Sequence, residues 1–104
     1  MKIYEYNISL EVMFQALSSP VRVKIVQLLG AGPLCVGSIS NRLGISQSAV
    51  SQHLRVLRLA GIVQAEKHGK HIHYSLRLDA LNTLRMFFRT LCGCKGKDNC
   101  CGNH

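Results

Sequence analysis

The chain has 104 residues, of which 47% are hydrophobic, enough for one domain with one apolar core and too many for intrinsic disorder. Thirteen Lys and Arg against five Asp and Glu give a formal net charge of +8, which favours a polyanionic partner, nucleic acid ahead of an anionic membrane. The size excludes a large enzyme with a deep pocket, and no run approaches the ~18 apolar residues of a membrane span.

At the N-terminus, Glu5, Asn7 and Glu11 interrupt the apolar run that a signal peptide needs, which predicts a cytoplasmic protein with reduced thiols. Residues 8–18 are expected to form a first helix, with Met13, Ala16 and Leu17 at helical spacing. Ser19-Pro20 then reads as a polar cap followed by proline at the first helical position. Val21, Ile25, Leu28 and Leu29 line one face of this second helix until Gly30-Ala31-Gly32-Pro33 breaks it. A third helix, about 35–43, turns Val36, Ile39 and Leu43 inward. Gly44 ends it where a left-handed conformation is expected, followed by the apolar Ile45.

The fourth helix begins at Ser46 or Gln47, buries Val50, Leu54 and Leu57, and stops at Gly61-Ile62. Two helices joined by so tight a turn form a helix-turn-helix. The second of them carries Ser46, Gln47, Ser48, Ser51, Gln52, His53 and Arg55. These side chains are small, hydrogen-bonding or basic, and suit the base edges and phosphates of a major groove. Beyond Gly61 the pattern changes to period two. Ile62, Val63 and Ala65 precede a turn at Lys67-His68-Gly69-Lys70, and Ile72, Tyr74 and Leu76 alternate with His71, His73, Ser75 and Arg77. That is a β-hairpin with a basic tip, a wing whose Lys67 and Lys70 can meet phosphates or the adjacent minor groove. Arg42, Arg55, Arg58, Lys67, Lys70 and Arg77 face only Glu66 across residues 42–77, so most of the positive excess sits in this block.

Asp79 caps a last helix in which Leu81, Leu84, Phe88 and Leu91 follow the spacing of an a/d seam. Packing on the domain's own core would account for the stripe. Pairing with a second copy would also account for it, and a homodimer matches a palindromic operator. The expected fold is mainly α with a β-hairpin wing: a winged helix-turn-helix of five helices over residues 1–91, followed by a Cys-rich tail over 92–104.

Cysteine is concentrated in that tail, where Cys92, Cys94, Cys100 and Cys101 are followed by His104. A Gly-, Lys-, Asp- and Asn-rich segment offers these thiols no apolar core to join, so a chemical role is expected. Soft thiolate sets select Cu(I), Zn(II), Cd(II), Hg(II) or Pb(II). Three converging sulfurs also suit As(III) and Sb(III), whose trigonal pyramids leave a lone pair opposite. Three uses of the tail stay open: an inducible metal or metalloid site, a disulfide or polysulfide sensor aided by Lys95 and Lys97, and a structural zinc clip. Cys35 reads as a buried thiol or as a ligand shared with the tail. His68, His71 and His73 belong to the wing surface, where His71 and His73 share a face without a third ligand. A thiol–disulfide enzyme is disfavoured, because no helix start carries Cys-x-x-Cys.

The runs FQALSSPVRVKIVQLL and LCVGSISNRLGISQSAVSQHLRVLRLAGIVQAEKHGKHIHYSL, over roughly residues 12–78, resemble the ArsR/SmtB family of metal- and thiol-responsive repressors. The segments SQSAVSQHLRVLRLAGIV and GKHIHYSL carry the resemblance most specifically. It implies a dimeric winged helix, joined through its first and last helices, that represses double-stranded operator DNA until an inducer binds. Soft-metal sensors of the family carry Cys-Val-Cys at the start of the third helix, whereas this chain has Leu34-Cys35-Val36-Gly37. Sensors of zinc, nickel or cobalt carry paired carboxylate and histidine ligands on the last helix, where this chain offers Asp79 and no histidine. The tail thiolates therefore remain as the expected inducer site, with arsenite the foremost candidate.

Overall fold

The computed structural model describes residues 9–92. In chain order the elements are α1 (Leu10–Ala16), α2 (Pro20–Leu29), β1 (Leu34–Cys35), α3 (Val36–Leu43), α4 (Gln47–Leu59), β2 (Val63–His68), β3 (His71–Leu76) and α5 (Leu78–Cys92). Serine begins three of the helices. The Oγ atoms of Ser9, Ser19 and Ser46 accept from the backbone N–H of Val12, Arg22 and Ala49 at 3.3, 3.3 and 3.0 Å. Each satisfies one of the donors a helix start leaves unpaired.

Helix α1 is shorter than the expected 8–18. Ser19 precedes Pro20 and is held extended at φ −113° and ψ 131°, because the proline ring clashes with a helical residue before it. The chain must therefore leave α1 before Ser19, and Ser9 marks its start.

The turn between α3 and α4 forms as expected. Gly44 adopts φ 71° and its N–H donates to the Ser40 carbonyl at 2.8 Å. A Cβ at this position would touch nothing within 4 Å, so the demand for glycine is conformational. Gly44→Ala is therefore expected to cost about 1–2 kcal/mol, the strain of a left-handed alanine, measured as a lowered urea midpoint with an unchanged slope.

The core is Met13 and Ala16 of α1, Ile25 and Leu29 of α2, Ile39 of α3, Val50, Leu54 and Leu57 of α4, then Ala60, Ile62, Val63 and Ala80. Helices α1, α2 and α4 contribute their core residues at helical spacing, and α3 and α5 one buried residue each. The wing gains a strand that period two did not reveal. Leu34 and Cys35 pair antiparallel with Tyr74 and His73, giving a three-stranded sheet in the order β1-β3-β2. Helix α5 packs only the first part of its expected stripe on the domain's own core. Ala80 is its one buried residue among those described, Leu84 packs against the core, and Phe88 and Leu91 stay 52% and 66% exposed. At its far end α5 meets α1 through rings, with Phe14 edge-on to Phe87 and Phe88 at centroid distances of 5.6 and 6.1 Å.

Candidate nucleic-acid interface and thiol sites

Helix α4 is fixed from below by Val50, Leu54 and Leu57, which turns Gln47, Ser48, Ser51, Gln52, Arg55 and Arg58 to solvent. Two concavities meet on this face. One, of about 550 Å³, is lined by Ser51, Gln52, Arg55, Arg58, Leu59 and Tyr74. The other, of about 480 Å³, lies between the starts of α3 and α4 and the wing, with Cys35, Gln47, Ser51, Lys70, His71 and Tyr74 among its lining. Ser51 belongs to both, so amide, hydroxyl and basic groups run without a break from α4 to the wing tip. Gly69, at φ 64°, turns that tip and leaves Lys67 and Lys70 exposed.

Two of the expected contact residues have other partners. Ser46 is the N-cap of α4, its hydroxyl accepting from Ala49. His53 is half-buried and turned toward α2, where its Nδ1 accepts from Arg22 at 3.3 Å. Arg22 also donates through Nε to the Ala16 carbonyl at 2.6 Å. Its guanidinium thus links the end of α1 to α4 from inside the protein, and the bond to Nδ1 puts the neutral ring's proton on Nε2. Arg58, counted above in the basic block but not among the contact residues of the helix, joins them, because the steps from Ser51 to Arg55 to Arg58 keep one helical face.

Phosphate and base contacts separate by experiment. Lys70→Ala is expected to weaken binding to all duplexes alike and to lower the salt slope by about one unit. Gln47→Ala and Gln52→Ala are expected to cost about 1–3 kcal/mol each on the preferred sequence and little on others. Salt-dependent anisotropy on specific and random duplexes reads both.

Cys35 sits at the N-cap of α3 and its thiol donates to Ser38 Oγ at 3.6 Å. The backbone N–H of Ser38, followed by its hydroxyl, holds the thiol below its usual 9.0 against the opposing effect of burial. That amide falls short of a capping bond, so it acts on the sulfur as an oriented dipole at a helix start. With the other four cysteines changed to Ser, alkylation of Cys35 by iodoacetamide should reach half its limiting rate below pH 9.0. The thiolate reacts, and a depressed value keeps it populated at lower pH. A midpoint at or above the free-thiol value would remove the dipole effect.

Helix α5 runs through Cys92, which is exposed at its C-terminal end. Cys94, Cys100, Cys101 and His104 lie outside the described residues. Among the described residues, no three His, Cys, Asp or Glu side chains converge to hold a metal ion, so a thiolate site needs the rest of the tail. No helix among them is long and apolar enough to cross a membrane.

Residues 19–65 match the family described as bacterial regulatory protein, arsR family. Over 69 residues the chain is 36% identical to the transcriptional repressor SdpR of Bacillus subtilis (strain 168), a match covering 66% of this chain and 77% of that one. The chain belongs to the arsR family. This arsR-family chain is also 43% identical, over 65 residues, to the cadmium resistance transcriptional regulatory protein CadC homolog of Staphylococcus aureus, covering 62% of this chain and 54% of that relative. Several curated relatives are matched over only about half of their own length. A solved structure described as a possible transcriptional regulator for arsenical resistance superposes with a TM-score of 0.69 at 36% identity, covering 80% of this chain and 85% of that one. The family is one of DNA-binding transcriptional regulators and not of enzymes.

Proposed function

We propose that this arsR-family chain is a cytoplasmic, homodimeric repressor that leaves its operator when the thiolates of Cys92, Cys94, Cys100 and Cys101 bind a soft metal ion or metalloid, arsenite foremost. The observation that carries the reading is the position of Cys92. It stands on the last turn of α5, directly after Arg89, Thr90 and Leu91 at the exposed end of a helix whose Phe87 and Phe88 rings pack on Phe14 of α1. Closing the tail around an ion acts directly on that end, and through α1 and Arg22 on α4.

Two relatives support a soft inducer by their descriptions, one for cadmium resistance and one for arsenical resistance. On the DNA, Arg55, Arg58, Lys67 and Lys70 supply phosphate contacts that set orientation, while Gln47, Ser51 and Gln52 read base edges. Release requires the ligand to favour the weakly binding state. A hundredfold loss of affinity corresponds to a coupling of about 2.7 kcal/mol, well within what one metal site supplies.

The test is fluorescence anisotropy of the reduced protein on its own promoter, titrated with arsenite. Release near one equivalent per subunit supports the reading. Unchanged binding under arsenite, cadmium, lead and copper(I) overturns metal-dependent release, and release by polysulfide alone would transfer the tail to sulfur sensing.

A further inference from the structure

The sheet assembles on its outer face a set of ligands that are scattered along the chain. Residues opposite one another in an antiparallel pair share a face, and so do residues two apart on one strand. The register Glu66↔His73 and His68↔His71 therefore puts these four side chains on one face, and Cys35, opposite His73 on β1, lies on the same face one strand over. Val63, Tyr74 and Leu76 take the other face, toward the core.

Three of the four are already in contact. The rings of His68 and His73 lie edge to face with centroids 4.9 Å apart. His68 Nε2 is 3.5 Å from Glu66 Oε1. His73 Nδ1 is buried and has no hydrogen-bond partner, a costly state for an imidazole nitrogen. Tetrahedral zinc with bonds of about 2.0–2.1 Å sets neighbouring donor atoms about 3.3 Å apart and the centres of two bound imidazoles about 5 Å apart. Both measured spacings are close to these values. In the conformation of the structure no three such side chains among the described residues are placed to hold a metal ion, but Glu66 and His68 are 72% and 57% exposed, so they can rotate at little cost while the strand ladder holds the backbone.

We propose that the outer face of the wing is a divalent transition-metal site, with Glu66, His68 and His73 as its three protein ligands and water completing the shell. Two imidazoles and a carboxylate suit zinc and its neighbours in the first transition row; among the described residues the nearest thiol on this face is Cys35, opposite His73 on β1, and it is not one of the three ligands. The site is thus chemically separate from the thiolate tail, and it does not rest on the inducer reading.

The experiment uses the full-length chain with all five cysteines changed to Ser, so that no thiolate competes, and zinc alone as the probe. Competition against a chromophoric chelator gives affinity, and imidazole NMR identifies the rings involved. The expected result is one saturable zinc per chain, with shifts at His68 and His73 and none at His53. Glu66→Gln, His68→Ala and His73→Asn should each weaken binding at least about tenfold, since even the outer partners of metal ligands are worth that much. His71→Ala should leave it unchanged. Glu66 and His68 are exposed, so their variants keep the fold, which far-UV circular dichroism checks. Failure of the five-serine chain to bind zinc overturns the proposal, as does a loss on His71→Ala equal to that on His68→Ala.

Discussion

Changing Cys92, Cys94, Cys100 and Cys101 together to Ser is expected to leave operator affinity unchanged and to abolish release by arsenite. Affinity should persist because the groups proposed to contact DNA lie on α4 and the wing, built on the core of Met13, Ile25, Ile39, Leu54 and Leu57. Response should vanish because serine hydroxyls are hard donors that soft or thiophilic ions do not select. Against a hundredfold release by the unaltered protein, the variant's curve should stay flat, a loss of about 2.7 kcal/mol of coupling. Single substitutions then sort the thiols, and one that changes nothing marks a cysteine outside the site. Release that survives the fourfold change would move sensing away from the tail, with Cys35, whose thiol is held below its usual 9.0 by the backbone and hydroxyl of Ser38, the next to replace.

Phe88→Glu combined with Leu91→Glu is expected to leave the chain a folded monomer where the proposed dimer would form, and to remove the high-affinity operator binding that the proposal assigns to it. Both side chains are more than half exposed in the single chain, as are Met86 and Leu78 at 56% and 73%. Burying such a side chain fully is worth about 1.5–3 kcal/mol, and a twofold interface uses each position twice. The single chain leaves that energy unused. Carboxylates placed there would be desolvated and brought toward their own symmetry mates, which reverses the sign of the contribution. A monomer holds one half-site and loses the effective concentration that links the second, a weakening of about 10²- to 10⁴-fold. Sedimentation velocity reads the first effect, anisotropy the second, and circular dichroism checks the fold. A double variant that still sediments as a dimer would discard this face as the interface.

These two outcomes rest on different amounts of legible information. The spacing Cys-x-Cys-x5-Cys-Cys stands out directly in the string as a thiol cluster in a polar segment, although three of its four cysteines lie outside the described residues. The helix-turn-helix was equally plain. Gly44 and Ile45 announce its turn, Val50, Leu54 and Leu57 assign the buried side of α4, and what remains on that helix faces outward. Helical spacing and capping residues act within a few positions of one another, so their signals survive in a linear string. The seam of α5 was visible as well, although its spacing alone fits either the domain's own core or a second copy.

The remaining features depend on contacts between residues far apart in the chain. Strand β1 has two residues, Leu34 and Cys35, too few to show an alternation, and it exists because Tyr74 and His73 pair with it. His53 shares the polar face of α4 with Gln52, yet Arg22, 31 residues earlier, draws it inward. On α5, Ala80 and Leu84 reach the core while Phe88 and Leu91 pass beyond its edge. A cluster such as Glu66, His68 and His73 arises only when register is set, since a slip of one residue would send each side chain to the other face. Local spacing specifies which elements form, while pairing and burial across the fold select which of their side chains stay available for chemistry.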